Sequence, residues 1–310
     1  MPDLALREIF GNYLVEHAEK YLNLVVLDAD LSSSTRTFKF ANKYPDRFFN
    51  MGIAEQCMMG TAIGLAISGK MPVVSGFTIF TTGRAWEFIR MVCHDQLNVK
   101  IITTHGGIVG EDGSTHNALE DFSLMASLPN LTILVPCDDI ELISMLNFCF
   151  EYKGPIYVRL PRGAFSRIHK PGYQFSVDNI DVIKDGSDFC LIGTGYGTVL
   201  SCENAIDIEK ELDISLKIIN LPCIKPINEQ KLLSLVSNTK GIVVVEEHNV
   251  YSGIGNILAR IISKKMPKAM RFIGIEDTFV RSGNRSTILD SYGLNKENIV
   301  EKLKELIQLE

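Results

Sequence analysis

Along the first half of the chain, short runs of β-branched and other apolar residues alternate with longer stretches whose apolar positions recur at helical spacing. Leu22–Leu27, Met71–Ser75, Val99–Thr104, Leu131–Val135 and Ile156–Leu160 have the length and continuity of strands buried on both faces. Leu4–Tyr21, Ala54–Ser68, Arg84–Cys93, Ala118–Ala126 and Ile140–Tyr152 are the helices predicted between them. Such alternation predicts a mostly parallel sheet covered on both faces. Around Arg162–Ser176 the pattern stops, and the basic stretch Ser166–Tyr173, with Pro171 and Gly172, has the character of a linker. A second series follows, with strands at Phe189–Ile192, Leu216–Leu221, Gly241–Glu246 and Met270–Ile275. Its helices are predicted at Val199–Glu211, Glu229–Ser237, Ile254–Lys264 and Lys296–Gln308. The fold class expected is α/β, with two three-layer α/β domains and mostly parallel sheets. The first domain spans residues 1–165, the linker 166–184 and the second domain 185–310.

Composition narrows the possibilities. A chain of 310 residues suits two domains, and 46% hydrophobic with 22% charged residues excludes a disordered protein. A net charge of −6 argues against a nucleic-acid partner but leaves room for local basic spots that bind a phosphorylated small molecule. No run reaches the ~18 apolar residues of a membrane span, and Met1–Arg7 lacks the basic-then-apolar layout of a secretory signal. The seven cysteines form no C-x-x-C pair, and most lie in apolar runs. They are expected to be buried reduced thiols of a cytoplasmic protein, without a zinc site.

Several segments carry candidate chemistry. Gly193-Thr194-Gly195-Tyr196-Gly197 resembles part of a dinucleotide fingerprint, but its third glycine comes one residue early, so a tight strand-to-helix turn is expected instead. Glu55 opens a helix whose other residues are nearly all small or apolar, so that helix should be buried. A carboxylate there gains from the helix N-terminal field but costs several kcal/mol to bury unless something meets it. Gly106–His116 sets glycines, Glu111, Asp112 and His116 at the C-terminal end of a strand, beside His105. Ligands of parallel sheets bind at that edge, and the residue types suit hydrogen bonding to a polyhydroxylated substrate better than metal ligation. Phe77 and Phe80 are either core aromatics or the walls of a pocket for a flat ring. Arg159 and Arg162 flank Pro161, where arginines suit phosphate or carboxylate.

Together these segments resemble transketolase over its C-terminal two-thirds. The resemblance runs from Leu6-Arg7 through Asp28-Ala29-Asp30-Leu31, Gly52-Ile53-Ala54-Glu55-Gln56 and Gly110-Glu111-Asp112-Gly113-Ser114-Thr115-His116 to Val245-Glu246-Glu247-His248-Asn249. Phe80-Thr81-Thr82-Gly83-Arg84-Ala85-Trp86-Glu87 is most similar to split transketolases, whose polypeptide is divided between two subunits. The resemblance implies a thiamine diphosphate enzyme that transfers a two-carbon ketol unit from a ketose phosphate to an aldose acceptor. The first domain would bind the cofactor's pyrimidine, and the second would serve mainly structure and assembly. It further implies that Glu55 hydrogen-bonds a nitrogen of the aminopyrimidine, with Phe77, Phe80, Ile53 and Asp30 around the cofactor. Asp112 and His116 would bind substrate hydroxyls and join Glu55 as catalytic residues, while Arg7, Ser34, His105 and Arg162 would contact a phosphate.

The family's Gly-Asp-Gly…Asn motif, which holds the diphosphate through Mg2+ or Ca2+, is not found. An N-terminal transketolase subunit is therefore the expected partner, in an α2β2 assembly. Two departures from the family pattern stand out: the loop Gly106–Gly110 is about one residue short, and Gly83 replaces a tyrosine common in single-chain members. The alternatives are a 2-oxoacid dehydrogenase β-type subunit, a deoxyxylulose-phosphate-synthase-like carboligase and a catalytically inactive assembly subunit.

Overall fold

The computed structural model describes residues 5–309. Its strands, in chain order, are β1 Leu24–Asp28, β2 Phe48–Asn50, β3 Met71–Ser75, β4 Lys100–Gly106, β5 Thr132–Leu134, β6 Ile156–Pro161, β7 Asp181–Lys184, β8 Phe189–Gly193, β9 Leu216–Asn220, β10 Cys223–Lys225, β11 Gly241–Asn249 and β12 Ala269–Ile275. They form two sheets, β10-β5-β6-β4-β3-β1-β2 and β12-β11-β8-β9-β7. All pairings are parallel except β10 with β5 and β7 with β9. The fold class expected from the sequence is the one observed.

The central strands β1, β3, β4 and β6 are buried along their whole length, as strands covered on both faces are. One face of the first sheet packs on the helices Leu6–His17 and Asp139–Glu151 through Phe10, Leu14, Leu142 and Leu146. The other face belongs to a cluster that continues from Met58, Val74 and Ile101 into Cys190, Ile219 and Leu258 of the second half, so the two halves share one apolar core.

Three departures from the predicted elements have identifiable causes. The helix expected over Arg84–Cys93 is two helices, Thr78–Arg84 and Trp86–His94, because Ala85 leaves helical geometry at φ −100°, ψ 12°. β7 lies inside the stretch expected to be linker and pairs with β9, Val182 opposite Ile219. β10 comes from the second half yet joins the first sheet, Cys223 opposite Leu134. These two strands are four and three residues long, too short to show a period. No helix among the described residues is long and apolar enough to cross a membrane.

Polar groups complete the contact between the halves. Glu247 accepts the Ile108 N–H at 2.8 Å and pairs with Arg285 at 2.8 Å. Gly107, at φ +77°, lies so close that a Cβ there would meet the Glu247 carboxyl carbon at 2.4 Å. Arg159, expected to face a ligand, is only 4% exposed. It donates to the carbonyls of Ala118 and Glu247 at 3.0 and 2.8 Å and pairs with Asp121 at 3.1 Å, so it is an internal strut. The glycines at 193–197 form the expected tight turn: Gly195 has φ +52°, and a Cβ on Gly197 would lie 2.0 Å from the Val245 carbonyl oxygen.

In the linker, His169 sits among acids from both halves. Its Nδ1 is 3.0 Å from Asp138, and its Nε2 is 3.9 Å from Glu141 and 3.8 Å from Asp181. Burial disfavours the charged ring, but the hydrogen bond to Asp138 and the nearby Asp181 and Glu141 carboxylates outweigh it and push the pKa up to about 10. The stabilisation from a cationic His169 is therefore complete below pH 6.5, its ordinary value, and is lost as pH rises through about 10. Removing one partner of a buried pair costs about 3 kcal/mol or more. His169→Ala should therefore melt several degrees below the wild type near pH 6, with the gap narrowing toward pH 10. A gap that stays constant in melts taken across that range contradicts this role.

Candidate active site

Because β1, β3, β4 and β6 run parallel, their C-terminal ends open on one edge of the sheet. The loops that leave this edge carry most of the candidate residues. After β3, Phe77 caps the helix Thr78–Arg84, and Thr78 ties that helix to β4 by donating to the Thr104 carbonyl at 2.9 Å. The helical turn sets Phe77 and Phe80 side by side, with ring centroids 6.1 Å apart and planes 24° apart. His105, at the end of β4, lies against Phe77 with a centroid distance of 3.9 Å. His116 meets Phe80 edge-on at 5.2 Å. Four rings from three segments thus form one aromatic wall.

His105 is one of six non-glycine residues with positive φ among the described residues, at +61°, and Asp30 is another, at +63°. For bulky side chains that conformation is strained and clusters at functional sites. Thr104 Oγ1 is 2.9 Å from His105 Nδ1, and Arg7 Nη1 is 3.4 Å from Nε2. Arg7 can only donate, so Nε2 is the acceptor and Nδ1 carries the proton. Burial, together with Arg7 and Arg162, pushes the His105 pKa down to about 3.

Arg7 also donates to the Ser34 carbonyl at 3.2 Å. Its pKa is lowered by burial, then by Arg36 and Arg162. Arg162 donates to the Val109 carbonyl at 2.7 Å and pairs with Asp112 at 2.8 Å. With Arg285, Arg7 and Arg162 line a cavity of about 340 Å³, a cationic recess suited to an anionic group.

Glu55 opens the helix Glu55–Ile67 and is 5% exposed. Arg84 meets it at 2.9 Å and also lies over Phe80, 4.4 Å from the ring centroid. The carboxylate, the aromatic wall and the basic recess therefore lie along one edge. Asp30 and Ile53 are open to solvent. Asp30 is exposed and bonds Asn50 at 3.1 Å, and Ile53 is 77% exposed.

The helix Glu55–Ile67, expected to be buried, hides only Glu55, Met58, Met59 and Ala62 and leaves Cys57 and Ile67 in the open. Its apolar composition exceeds what this chain alone covers. Cys57 likewise departs from the expected buried thiols, whereas five of the other cysteines are buried. Arg84 and Arg285 were not among the predicted site residues. Arg84 is 29 positions from Glu55 and Arg285 38 from Glu247, separations that no local spacing reveals.

A buried carboxylate beside paired aromatic rings fits the pyrimidine end of thiamine diphosphate. The donor set does not fit the diphosphate and its metal. Among the described residues, the only groupings of three His, Cys, Asp or Glu ligand atoms close enough for an ion are Cys137, Asp138 and His169, and Glu141, His169 and Asp181, all around the linker.

These features define a cofactor-binding α/β domain followed by a second α/β domain that braces it. The family model for the transketolase pyrimidine-binding domain matches residues 3–167, and that for the transketolase C-terminal domain matches residues 178–299. The chain belongs to the transketolase family, whose members are thiamine diphosphate enzymes. It is 42% identical to a protein of Methanocaldococcus jannaschii provisionally described as a transketolase C-terminal section, over 98% of this chain and 97% of that one. It is 34% identical to the 1-deoxy-D-xylulose-5-phosphate synthase of Carboxydothermus hydrogenoformans, over 99% of this chain but 49% of that enzyme. A solved split-gene transketolase, described as an inactive β4 tetramer, superposes with a TM-score of 0.89 at 37% identity and covers 99% of each chain.

The neutral state of His105 is directly measurable. Its ring resonances should not titrate between pH 5 and 8 in nuclear magnetic resonance spectra. A midpoint near 6.5 contradicts the burial and cationic surroundings described here.

Proposed function

We propose that this chain is the C-terminal subunit of a split transketolase, which transfers a two-carbon ketol unit from a ketose phosphate to an aldose acceptor. The observation that carries this reading is the buried Glu55 carboxylate at a helix start beside Phe77 and Phe80. Residues 1–165 form the pyrimidine-binding domain and 185–310 the C-terminal domain, joined by 166–184. An N-terminal subunit supplies the diphosphate site and its Mg2+ or Ca2+, and the two assemble as α2β2. The match to a C-terminal section over nearly the full length of both chains supports this division. So does the apolar face left open by Ile53, at 77% exposure, and Ile67, at 69%.

Bound thiamine diphosphate would supply a carbon nucleophile for the donor's carbonyl. Glu55, shielded from water, holds a proton at the aminopyrimidine ring nitrogen, where a solvated carboxylate would compete poorly. Phe77 and Phe80 orient the flat ring, with Ile53 and Asp30 at its rim. Asp112 and His116 take substrate hydroxyls. Arg7, Arg162, the neutral His105 and the Ser34 segment receive the phosphate. Arg162 then exchanges part of its bond to Asp112 for the anion, which couples phosphate binding to the residue that holds a hydroxyl.

The likeness to 1-deoxy-D-xylulose-5-phosphate synthase favours one second reading, a carboligase of that kind. Formation of 1-deoxy-D-xylulose 5-phosphate by the assembled complex, with no ketol transfer, would establish it. In the complex with its companion subunit, Glu55→Ala should lower ketol transfer by about 100-fold or more, the usual worth of a positioned proton-transfer group. Unchanged turnover would sink the assignment of Glu55.

A further inference from the structure

Arg84 holds both groups that a bound aminopyrimidine would need. Its Nη1 is 2.9 Å from Glu55 Oε1, and its guanidinium carbon is 4.4 Å from the centre of the Phe80 ring. A guanidinium is flat, delocalised and able to lie on an aromatic face, as an aminopyrimidine is. An aminopyrimidine stacked on Phe80 would compete with the guanidinium for the ring face, and for the carboxylate oxygen that Arg84 now holds. Sharing a proton with a weakly basic ring nitrogen requires a carboxyl that no cation already holds.

The main chain is arranged so that the side chain alone can leave. Gln56 Nε2 donates to the Arg84 carbonyl at 3.2 Å and so fixes the Arg84 backbone to the Glu55 helix. The Arg84 side chain is 50% exposed, while that of Glu55 is 5% exposed. One end of the pair is therefore free to swing into solvent and the other is not.

Resting on the reading of Glu55 as the pyrimidine ligand, we propose that Arg84 is a displaceable placeholder. It neutralises Glu55 and covers Phe80 until the aminopyrimidine of thiamine diphosphate takes its place. The contact is autoinhibitory, because cofactor binding must first break the ion pair. It also spares the cofactor-free chain the cost of an unpaired buried carboxylate.

The test is calorimetric titration of thiamine diphosphate, with Mg2+ present, into the complex of this chain and its companion subunit. Arg84→Met, which keeps the aliphatic stem but cannot pair, should bind the cofactor about 5-fold tighter, as expected when a half-exposed ion pair no longer has to be broken. In a Glu55→Gln background, Arg84→Met should no longer tighten binding, because the pair is already gone. Unchanged binding in Arg84→Met, or weaker binding that Arg84→Lys restores, would overturn the proposal and make Arg84 a bystander or a cofactor ligand. If instead Glu55→Gln alone leaves both cofactor affinity and turnover intact, the reading of Glu55 itself has failed.

Discussion

A carboxylate held out of water is the costly interaction around which this molecule's site is arranged. Glu55 lies at the N-terminus of its helix, where the backbone field favours negative charge. Taking an ionised carboxylate from water still costs several kcal/mol unless a partner meets it. In this chain that partner is Arg84, which reaches across from the helix that also carries Phe77 and Phe80. One ion pair thus ties the acid to the aromatic wall. Thr78 anchors the same helix to β4 and hence to His105. Rings and histidine keep their mutual positions because Thr78 joins this helix to the buried strand β4, which carries His105.

The second half acts on the site indirectly. The Glu247 carboxylate fills the space where a Gly107 side chain would lie and accepts the Ile108 N–H, while Arg285 pairs with it and donates to the Ile108 carbonyl at 2.9 Å. These contacts set the start of the loop that carries Asp112 and His116. Left-handed glycines at 107, 110 and 113 accommodate the loop's tight path. A domain with no ring or acid of its own on the aromatic wall thereby determines where the candidate hydroxyl-binding residues stand.

Much of the fold was legible in the sequence because the central strands are buried on both faces and mostly apolar, and charged residues they carry, such as Lys100 and Arg159, donate to carbonyls inside the fold. Met71–Ser75 forms with its predicted ends for that reason. What escaped prediction depends on distant partners: β10 on β5, Arg84 on Glu55, and Arg159 on carbonyls from both halves. Phe77, Phe80, His105, His116, Ser34, Arg162 and Asp112 gather along the sheet edge because their motifs lie at or just beyond strand ends or in the loop that Glu247 braces, and Arg7 reaches them from the start of the helix Leu6–His17. Asp30 and Ile53 belong to the same motifs but face outward. The apolar helix behind Glu55 misled on burial because composition records all the surface a helix must cover, including the part this chain leaves bare.

The central claim is that this chain holds the pyrimidine half of a cofactor site and a companion subunit the diphosphate half. Thiamine diphosphate with Mg2+, titrated calorimetrically into this chain alone, into the companion alone and into their mixture, tests it most directly. The account predicts tight binding in the mixture only. Binding to this chain alone with the affinity of the mixture would contradict it.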